Sequence, residues 1–541
     1  MTRHVNRVAL LVAALAALTA AAAGADPPGV VARLNFTQGP VSFRPGSLED
    51  WAPAELNYPL TVGDHVWTDD GGRAEMHVGS SAVRLDAGTE VSFLNLDDQA
   101  VQVSLAQGTI NVRLRQLDVG DTFEVDTPNS VVTLVQPGSY TITATGDDNT
   151  GLTVRGGQAE VTAAGNDFDV PMGQTATVVG SGSVGWYLQP SGPYSDFGQW
   201  WSARDAREDQ LASANYVSRD MTGYDDLDAN GTWTVMPGYG PVWSPTTVPV
   251  GWAPYKYGRW AWVAPWGWTW IDEAPWGFAP FHYGRWAFAA GRWVWVPGTR
   301  APRPVYAPAL VAFVGTGPGA DPNEAGVGWF PLGPQEVYVP PYQASPTYVQ
   351  RVNVTQVNNV TITTIEQTNV TQVTYVNRTA PYAVTVVPRE TFMGGRPAQS
   401  SAISFTTNQA RTAPVIGMGP TVAPQRESVI GQRFESAPPA RQPPPQVMNR
   451  PVYGRLTPAP APPPFMVQQA PLAPVTIYRQ PPAQVVAPPA PPVRQQRPMI
   501  INPRQPQPGY PQPGYPQPRQ GFQPQPQPMQ PQPGFQPQPQ P

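Results

Sequence analysis

The stretch AEMHVGSSAVRLDAGTEVSFL, residues 74–94, alternates apolar and polar side chains with breaks at Gly and Asp. This period of two is typical of half-buried β-strands joined by tight turns. Similar runs follow at regular spacing in residues 99–114, 122–143 and 151–162, and no helical period interrupts them. Residues 26–185 are therefore predicted to form an all-β domain, either a sandwich or a rolled sheet.

The same region resembles a known family. The runs VWTDDGGRAEMHVGSSAVRL (residues 66–85), LAQGTINV (105–112) and VQPGSYTI (135–142) are similar to the FecR domain, the periplasmic β-domain of iron-dicitrate-type signal regulators. The resemblance implies the fold. Regulators of that type normally carry a cytoplasmic anti-sigma segment and a membrane helix ahead of this domain, and here a signal-like segment stands in their place. A signalling role would therefore need a separate membrane partner.

The first 25 residues have the features of a secretory signal peptide. Arg3 and Arg7 precede an apolar run at residues 8–18, and a small-x-small cleavage site follows at residues 23–25. An uncleaved anchor is the alternative. The chain contains no cysteine, which excludes disulfides and thiol catalysis. We expect an exported protein, periplasmic in a Gram-negative bacterium, with no membrane span after signal cleavage.

Charge and composition limit the possible partners. The net charge is −5 and no Lys/Arg block is present, so nucleic acid is excluded as a partner. Of the 71 prolines, 35 lie between Pro438 and Pro541, mixed mainly with Gln, Gly and Ala. Such a composition cannot bury enough apolar surface to offset its ordering entropy. Residues 396–541 are predicted to be a disordered tail that acts as an extended tether.

Two further segments flank the Trp-rich region, one before it and one after it. Residues 186–222 are predicted to be a linker with one short helix, capped by Ser195 and presenting Phe197, Trp200, Trp201 and Arg204 near one face. Residues 346–395 begin with a run of Val, Thr, Asn and Gln whose β-propensity predicts an extended β segment.

Residues 223–345 form a Trp-rich block with six tryptophans between residues 258 and 277. Residues 251–264 and 277–290 align at an offset of 26, with nine of fourteen positions identical. This repeat predicts two β-hairpins, one placing Trp260 near Trp270 and Trp262 near Trp268. In the other, a turn at residues 290–291 would set Trp286 opposite Trp295 and Phe288 opposite Trp293. The aromatic face of each hairpin must then be covered by another layer.

This block also resembles a Trp-rich module of unknown function that follows FecR-like domains in secreted proteobacterial proteins. The runs YGRWAW (residues 257–262) and GWFPLGP (328–334) carry the likeness, which extends over residues 223–392. The resemblance implies an architecture and no activity.

Candidate chemistry is sparse. His65 and His77 lie far from His282 in the sequence, and His282 takes the repeat position of Lys256, predicted to face solvent. Asp226, Asp228 and Asn230 fit the first half of a calcium loop, but Pro237 stands where a bidentate Glu is required. A tight turn is the favoured interpretation of these three residues. No metal and no cofactor is predicted.

The remaining candidates are tryptophans. The sequence APWG occurs twice and places Trp266 and Trp276 in Pro/Gly turns, where we expect exposed rings that bind a sugar or a protein. We expect a non-enzymatic envelope protein that acts as a binding or scaffold module for an envelope protein or a cell-wall glycan. A periplasmic component of a FecR-type signalling system and a carbohydrate-binding or glycan-active protein are the alternatives. The sequence leaves the oligomeric state open.

Overall fold

The computed structural model describes residues 26–181, 183–315, 326–357, 373–431 and 440–465, so the predicted signal peptide at residues 1–25 lies outside the described residues. Seventeen strands come first in the chain. They are β1 (Ala32–Gln38), β2 (Val41–Arg44), β3 (Ala52–Pro53), β4 (Pro59–Leu60), β5 (His65–Thr68), β6 (Arg73–Val78), β7 (Ser81–Leu85), β8 (Thr89–Leu96), β9 (Ala100–Leu114), β10 (Thr122–Asp126), β11 (Val131–Leu134), β12 (Gly138–Thr145), β13 (Asn149–Gly156), β14 (Gln158–Ala163), β15 (Asn166–Pro171), β16 (Gln174–Val179) and β17 (Gly185–Pro190).

These strands form two layers of pairing that share one strand. One layer has the order β4-β1-β6-β7-β9-β12-β13-β16-β17. The other has the order β3-β2-β5-β8-β9-β10-β11-β14-β15, in which only the β9–β10 pair is parallel. The all-β prediction is confirmed, and the sheet extends to Pro190, beyond the predicted boundary at residue 185.

The long strand β9 passes from one layer to the other at Gly108. Its first half pairs with β8 and β10, and its second half pairs with β7 and β12. Gly108 has φ +99°, and a Cβ atom there would lie 2.4 Å from Thr89 Cα. Only glycine combines this backbone conformation with so close an approach, so Gly108 permits the change of layer.

The predicted linker helix is present as α1 (Asp196–Glu208). Its N-terminus is capped by Ser195, whose Oγ accepts a hydrogen bond of 3.1 Å from the Gly198 amide. Helix α1 covers the outer face of β1, β6 and β7, with the Trp200 ring centroid 5.6 Å from that of Phe36. The alternating strands predicted from residues 74–94 are therefore buried on both faces.

The rest of the described chain contains short strands and short helices. The strands are β18 (Gly231–Met236), β19 (Gly240–Pro245), β20 (Gly258–Val263), β21 (Gly267–Asp272), β22 (Arg285–Ala289), β23 (Arg292–Val296), β24 (Val311–Val314), β25 (Val327–Pro331), β26 (Thr385–Val387) and β27 (Val415–Gly417). The helices are α2 (Leu227–Asn230), α3 (Ala279–His282), α4 (Pro346–Asn353), α5 (Arg389–Met393), α6 (Thr407–Thr412), α7 (Arg426–Ile430) and α8 (Pro445–Met448).

The strands form three small antiparallel sheets: β18-β19-β23-β22, the hairpin β20-β21, and β26-β25-β24-β27. Both predicted hairpin registers are confirmed, with Trp260 opposite Trp270, Trp262 opposite Trp268, Trp286 opposite Trp295 and Phe288 opposite Trp293. The predicted covering layer is also present, because the Trp260 ring lies 5.3 Å from Phe313 and 5.5 Å from Trp329, on β24 and β25.

The extended segment predicted at residues 346–395 is largely wrong. Pro346–Asn353 is helical, because Ser345 caps the first turn with its Oγ 3.1 Å from the Tyr348 amide and Pro346 suits the first helical position. Residues 358–372, which carry much of the Val/Thr/Asn run, lie outside the described residues. Only β26 pairs as predicted, with β25.

The tail predicted to be disordered from residue 396 has defined structure in residues 396–431 and 440–465. Strand β27 pairs with β24. Residues 440–465, named the strap below, lie against the β-domain, where the amides of Tyr453, Ala459 and Phe465 donate to the carbonyls of Thr127, Leu94 and Ser47 at 2.9–3.0 Å. The prediction failed here because backbone bonds to an existing sheet order a segment with little apolar area of its own. Residues 466–541 lie outside the described residues.

Candidate binding site

An open cleft with a volume of about 640 Å³ lies beside the sheet β18-β19-β23-β22. We call it the aromatic cleft. Its lining is mainly aromatic, hydroxyl and proline side chains: Thr232, Ser244, Pro245, Thr246, Val248, Pro249, Gly251, Trp252, Phe288, Gly291, Arg292, Trp293, Pro381 and Tyr382. Among the described residues, no carboxylate, carboxamide or histidine belongs to this lining, and Arg292 is its single charged side chain.

Two buried polar atoms of the aromatic cleft lack a hydrogen-bond partner among the described residues. They are Oγ of Ser244 and Nε1 of Trp293, and each side chain belongs to a residue only 6% exposed. Leaving such a buried group unsatisfied costs about 1–3 kcal/mol. Trp260 also has an unpaired indole nitrogen, beside a smaller space of about 30 Å³. The unpaired atoms of Ser244 and Trp293 are closed off from solvent, so they belong to the wall of the cleft and not to its open space.

The hairpin β22–β23 positions the aromatic wall. Ala290 and Gly291 have φ +51° and +76°, as the two central residues of a tight hairpin turn require. This turn sets Phe288 opposite Trp293, with the ring centroids 5.5 Å apart in an edge-to-face arrangement. Phe288 is 36% exposed, so its ring is available at the mouth of the cleft.

Tyr382 forms the other side of the mouth. It is 63% exposed and has φ +59°, a left-handed conformation that is uncommon for a residue with a bulky side chain. Lys256 lies with its Nζ atom 5.2 Å from the centroid of the Tyr382 ring and donates a hydrogen bond of 2.8 Å to the Gly251 carbonyl. Burial lowers the pKa of the Lys256 ammonium.

The expected exposure of Trp266 and Trp276 is wrong. The two residues are 3% and 4% exposed. The ring of Trp266 packs edge-to-face on Tyr306 at 5.0 Å, and the ring of Trp276 packs edge-to-face on Trp243 at 5.0 Å. The turns themselves are at the ends of hairpins, but other segments of the chain cover them, so both indoles belong to the core.

The structure brings none of the predicted calcium-loop side chains together around one point. Asp226 forms an ion pair of 2.5 Å with Arg33. Asp228 accepts a hydrogen bond of 2.9 Å from the Ser213 amide, and the Asn230 side chain donates one of 2.8 Å to the carbonyl of Asp226. The three residues lie in a 3₁₀ turn and helix α2, where their side chains satisfy nearby backbone and ionic groups.

A buried ionic cluster joins β6, β7, α1 and the turn at residues 224–226. Arg84 binds Glu75 and lies 2.7 Å from Asp205 and 3.1 Å from Glu208. Arg204 also contacts Glu75, with its Nε 2.6 Å from the carboxylate. We call this set, together with His77 and Asp225, the junction network. Sequence reasoning missed it, because its members lie in separate segments.

One part of the junction network has the composition of a metal site. Ligand atoms of Glu75, His77 and Glu208 lie within 4.8 Å of one another. Burial disfavours the charged form of His77, but Asp225 and Glu208 outweigh burial and raise the pKa of His77 to about 10. The carboxylates of this set also contact arginines, Glu75 with Arg84 and Arg204, and Glu208 with Arg84. The described contacts are those of an ion-pair network that links the β-domain, helix α1 and the start of the Trp-rich region.

His282 was expected to face solvent, and this is also wrong. It lies fully buried in α3, with Nδ1 2.8 Å from the Ala307 carbonyl. Burial lowers the pKa of His282 to about 3.

Within the described part of the chain, no helix is long and apolar enough to span a membrane.

Comparison with known proteins gives two findings. Residues 224–336 match the model of a family of unknown function, DUF6600. This stretch contains most of the aromatic cleft but not Pro381 or Tyr382. No curated protein matches the chain.

Among solved structures, two crystal structures of a candidate anti-sigma factor from Parabacteroides distasonis are similar to part of the chain. They are 21% and 20% identical to it, with TM-scores of 0.19, and each match covers 27% of this chain. The matches cover 61% and 62% of those chains, so this protein spans about three fifths of their length. The β-rich protein thus contains a region distantly similar to these chains and a DUF6600 domain.

Proposed function

We propose that this chain is a non-enzymatic, exported protein of the cell envelope that acts as a binding and scaffold module, with the aromatic cleft as its binding site. One observation carries the proposal. Four aromatic side chains line an open space of about 640 Å³, and two of them, Phe288 and Tyr382, are 36% and 63% exposed. Exposed rings give a bound partner apolar contact, and the hydroxyls of the lining can orient it.

The chemistry of the lining supports binding rather than hydrolysis. General acid–base catalysis needs a carboxylate, a histidine or a similar group within reach of the reacting atoms. The lining of the aromatic cleft offers hydroxyls, aromatic rings and Arg292 instead. The FecR-like motifs at residues 66–85 and 105–112 and the signal-like residues 1–25 support an exported, periplasmic location.

The experiment is retention of the full mature chain on purified peptidoglycan sacculi and on a detergent-free envelope fraction. We expect retention to fall at least about fivefold in Phe288→Ala and in Tyr382→Ala, since each change removes an exposed ring from the cleft. Tyr187→Ala is the matched control, because Tyr187 is also exposed but lies on β17, outside the lining. Unchanged retention of both cleft variants, with the fold intact by circular dichroism, would contradict the proposal.

A further inference from the structure

The aromatic cleft continues into a second open space. This second cavity has a volume of about 780 Å³ and shares Pro381 and Tyr382 with the first. Its other lining residues are Lys256, Thr379, Val384, Thr385, Val386, Ala402, Ile403, Ser404, Phe405, Thr406 and Thr407. Tyr382 therefore stands between two binding spaces, and a ligand that contacts both must be elongated.

The two cavities have the same chemical character. Hydroxyl side chains are frequent in both: Thr232, Ser244 and Thr246 in the first, and Thr379, Thr385, Ser404, Thr406 and Thr407 in the second. The charged side chains are Arg292 and Lys256, and neither lining contains Asp or Glu. A ligand of matching character has many hydroxyls, apolar ring faces and either no charge or some negative charge.

From this chemistry we propose that the two cavities together bind a linear glycan, neutral or weakly acidic, that crosses Tyr382. The inference rests on the proposed function and names the partner class. A pyranose ring has a C–H face that packs on an aromatic ring and hydroxyls that exchange hydrogen bonds with Ser and Thr.

A proline-rich peptide is the competing ligand, because aromatic grooves also bind polyproline helices. Such a peptide offers carbonyl acceptors and few donors. Hydroxyls of the second cavity such as those of Thr379, Ser404 and Thr407 can both donate and accept, which matches a sugar better than a chain of prolines. A cationic ligand is disfavoured by Arg292 and Lys256.

Tyr382 has the geometry expected of the central contact. Its left-handed backbone is strained for a residue with a bulky side chain and persists only where its surroundings hold it. The Tyr382 ring packs close to Gly251, since a Cβ atom added at Gly251 would lie 3.7 Å from the ring. The Lys256 ammonium lies beside the same ring. These contacts hold an exposed ring at the boundary of both cavities.

The test is titration of the full mature chain, followed by tryptophan fluorescence and calorimetry, with four probes. Three are glycans: chitohexaose, cellohexaose and a peptidoglycan glycan strand freed of its peptides. The fourth is the peptide PQPGYPQPGY. We expect at least one glycan hexamer to bind at least about tenfold more tightly than its dimer, because only the longer chain reaches both cavities.

Two variants locate the binding. Phe288→Ala removes the exposed ring of the first cavity, and Tyr382→Ala removes the shared ring; each should weaken glycan binding about tenfold. Tyr187→Ala is the control, since Tyr187 is 53% exposed on β17 and lies outside both linings.

The outcomes separate the two proposals. Binding of the peptide without any glycan, or equal affinity for dimer and hexamer, overturns the glycan inference and leaves a binding function in place. Equal losses in the control variant and the cleft variants also overturn it. If no probe binds and retention on sacculi and envelope is also unaffected by the cleft variants, both proposals fail.

Discussion

His77 Nδ1, on strand β6, lies 3.1 Å from Asp225 Oδ1, in the turn that leads into the Trp-rich region. Both side chains are buried, with only 3% and 8% of their surface exposed to solvent. This pair, with Arg84 and helix α1, adds a buried ionic contact to the junction between the β-domain and the Trp-rich region. Burial opposes the charge of Asp225, but His77 outweighs it and lowers the pKa of Asp225 to about 2.

The first prediction concerns alkaline pH. The folded-state pKa of His77, about 10, lies above its value of 6.5 without these partners. The stability from its charged form is therefore complete below pH 6.5 and decreases as the pH rises toward 10. We expect urea midpoints of the unmodified chain to fall between pH 7 and 9.5, and this fall to be smaller in His77→Gln. An equal fall in both proteins would contradict the assignment, and His65→Gln serves as the control histidine.

The second prediction concerns Arg84, which is fully buried among three carboxylates. Replacing it by Met leaves Glu75, Asp205 and Glu208 with too little positive charge, and we expect a loss of about 3–5 kcal/mol in the free energy of unfolding. Arg303→Met is the control, since Arg303 pairs with Asp118 and Asp121 at the surface, where salt bridges add little to stability. Equilibrium urea unfolding of both variants gives the comparison. A similarly small loss in both variants would show that the junction network adds little to the free energy of unfolding.

The third prediction tests the burial of the turn tryptophans. Trp266→Ala and Trp276→Ala should each lower the free energy of unfolding by about 3–5 kcal/mol, as expected for a core indole. Trp186→Ala is the control, because Trp186 is 47% exposed on β17 and its stacking on Phe168 is worth up to about 1.5 kcal/mol. Denaturant midpoints measured side by side decide between core and surface. Equally small losses of unfolding free energy in all three variants would contradict the burial of Trp266 and Trp276.

The fourth prediction concerns the change of layer in β9. Gly88 and Gly108 both have positive φ, but a Cβ atom at Gly88 meets nothing within 4 Å, whereas at Gly108 it lies 2.4 Å from Thr89 Cα. The two Ala variants share the backbone strain and differ in the clash. We expect Gly108→Ala to cost about 1–3 kcal/mol more than Gly88→Ala in thermal or urea unfolding. Indistinguishable variants would mean that β9 tolerates a side chain at its bend.

Periodicity predicted the parts of the fold that depend on local pattern. Alternation in residues 74–94 predicted strands, and the repeat predicted the partner of each hairpin tryptophan, Trp260 with Trp270 and Trp286 with Trp295. Alternation could not predict that the polar face of β6 and β7 is also buried. Glu75 and Arg84 are covered by α1, which comes about 120 residues later, and no local pattern carries that contact.

The candidate site was missed for a similar reason. Ser244, Trp293 and Tyr382 come from three separate segments that meet only in the folded chain. A partial signal was present, because the correct hairpin register already placed Phe288 and Trp293 beside a tight turn, where a sheet ends. The sequence pointed to the turn tryptophans Trp266 and Trp276 instead. Flanking Pro and Gly predict a turn in the backbone, but they do not predict which segments pack over that turn.

The strap has a consequence for the order in which the protein assembles. The side chain of Gln102 donates a hydrogen bond of 3.2 Å to the carbonyl of Leu456, 354 positions further along the chain. A chain is synthesised from its N-terminus, so the β-domain is made first and residues 440–465 follow only after the whole Trp-rich region. Until then Gln102 and its neighbour Asp126 lack this cover. The newly made β-domain therefore begins in a form that differs from the one described here, and the strap is the last of the described segments to join it.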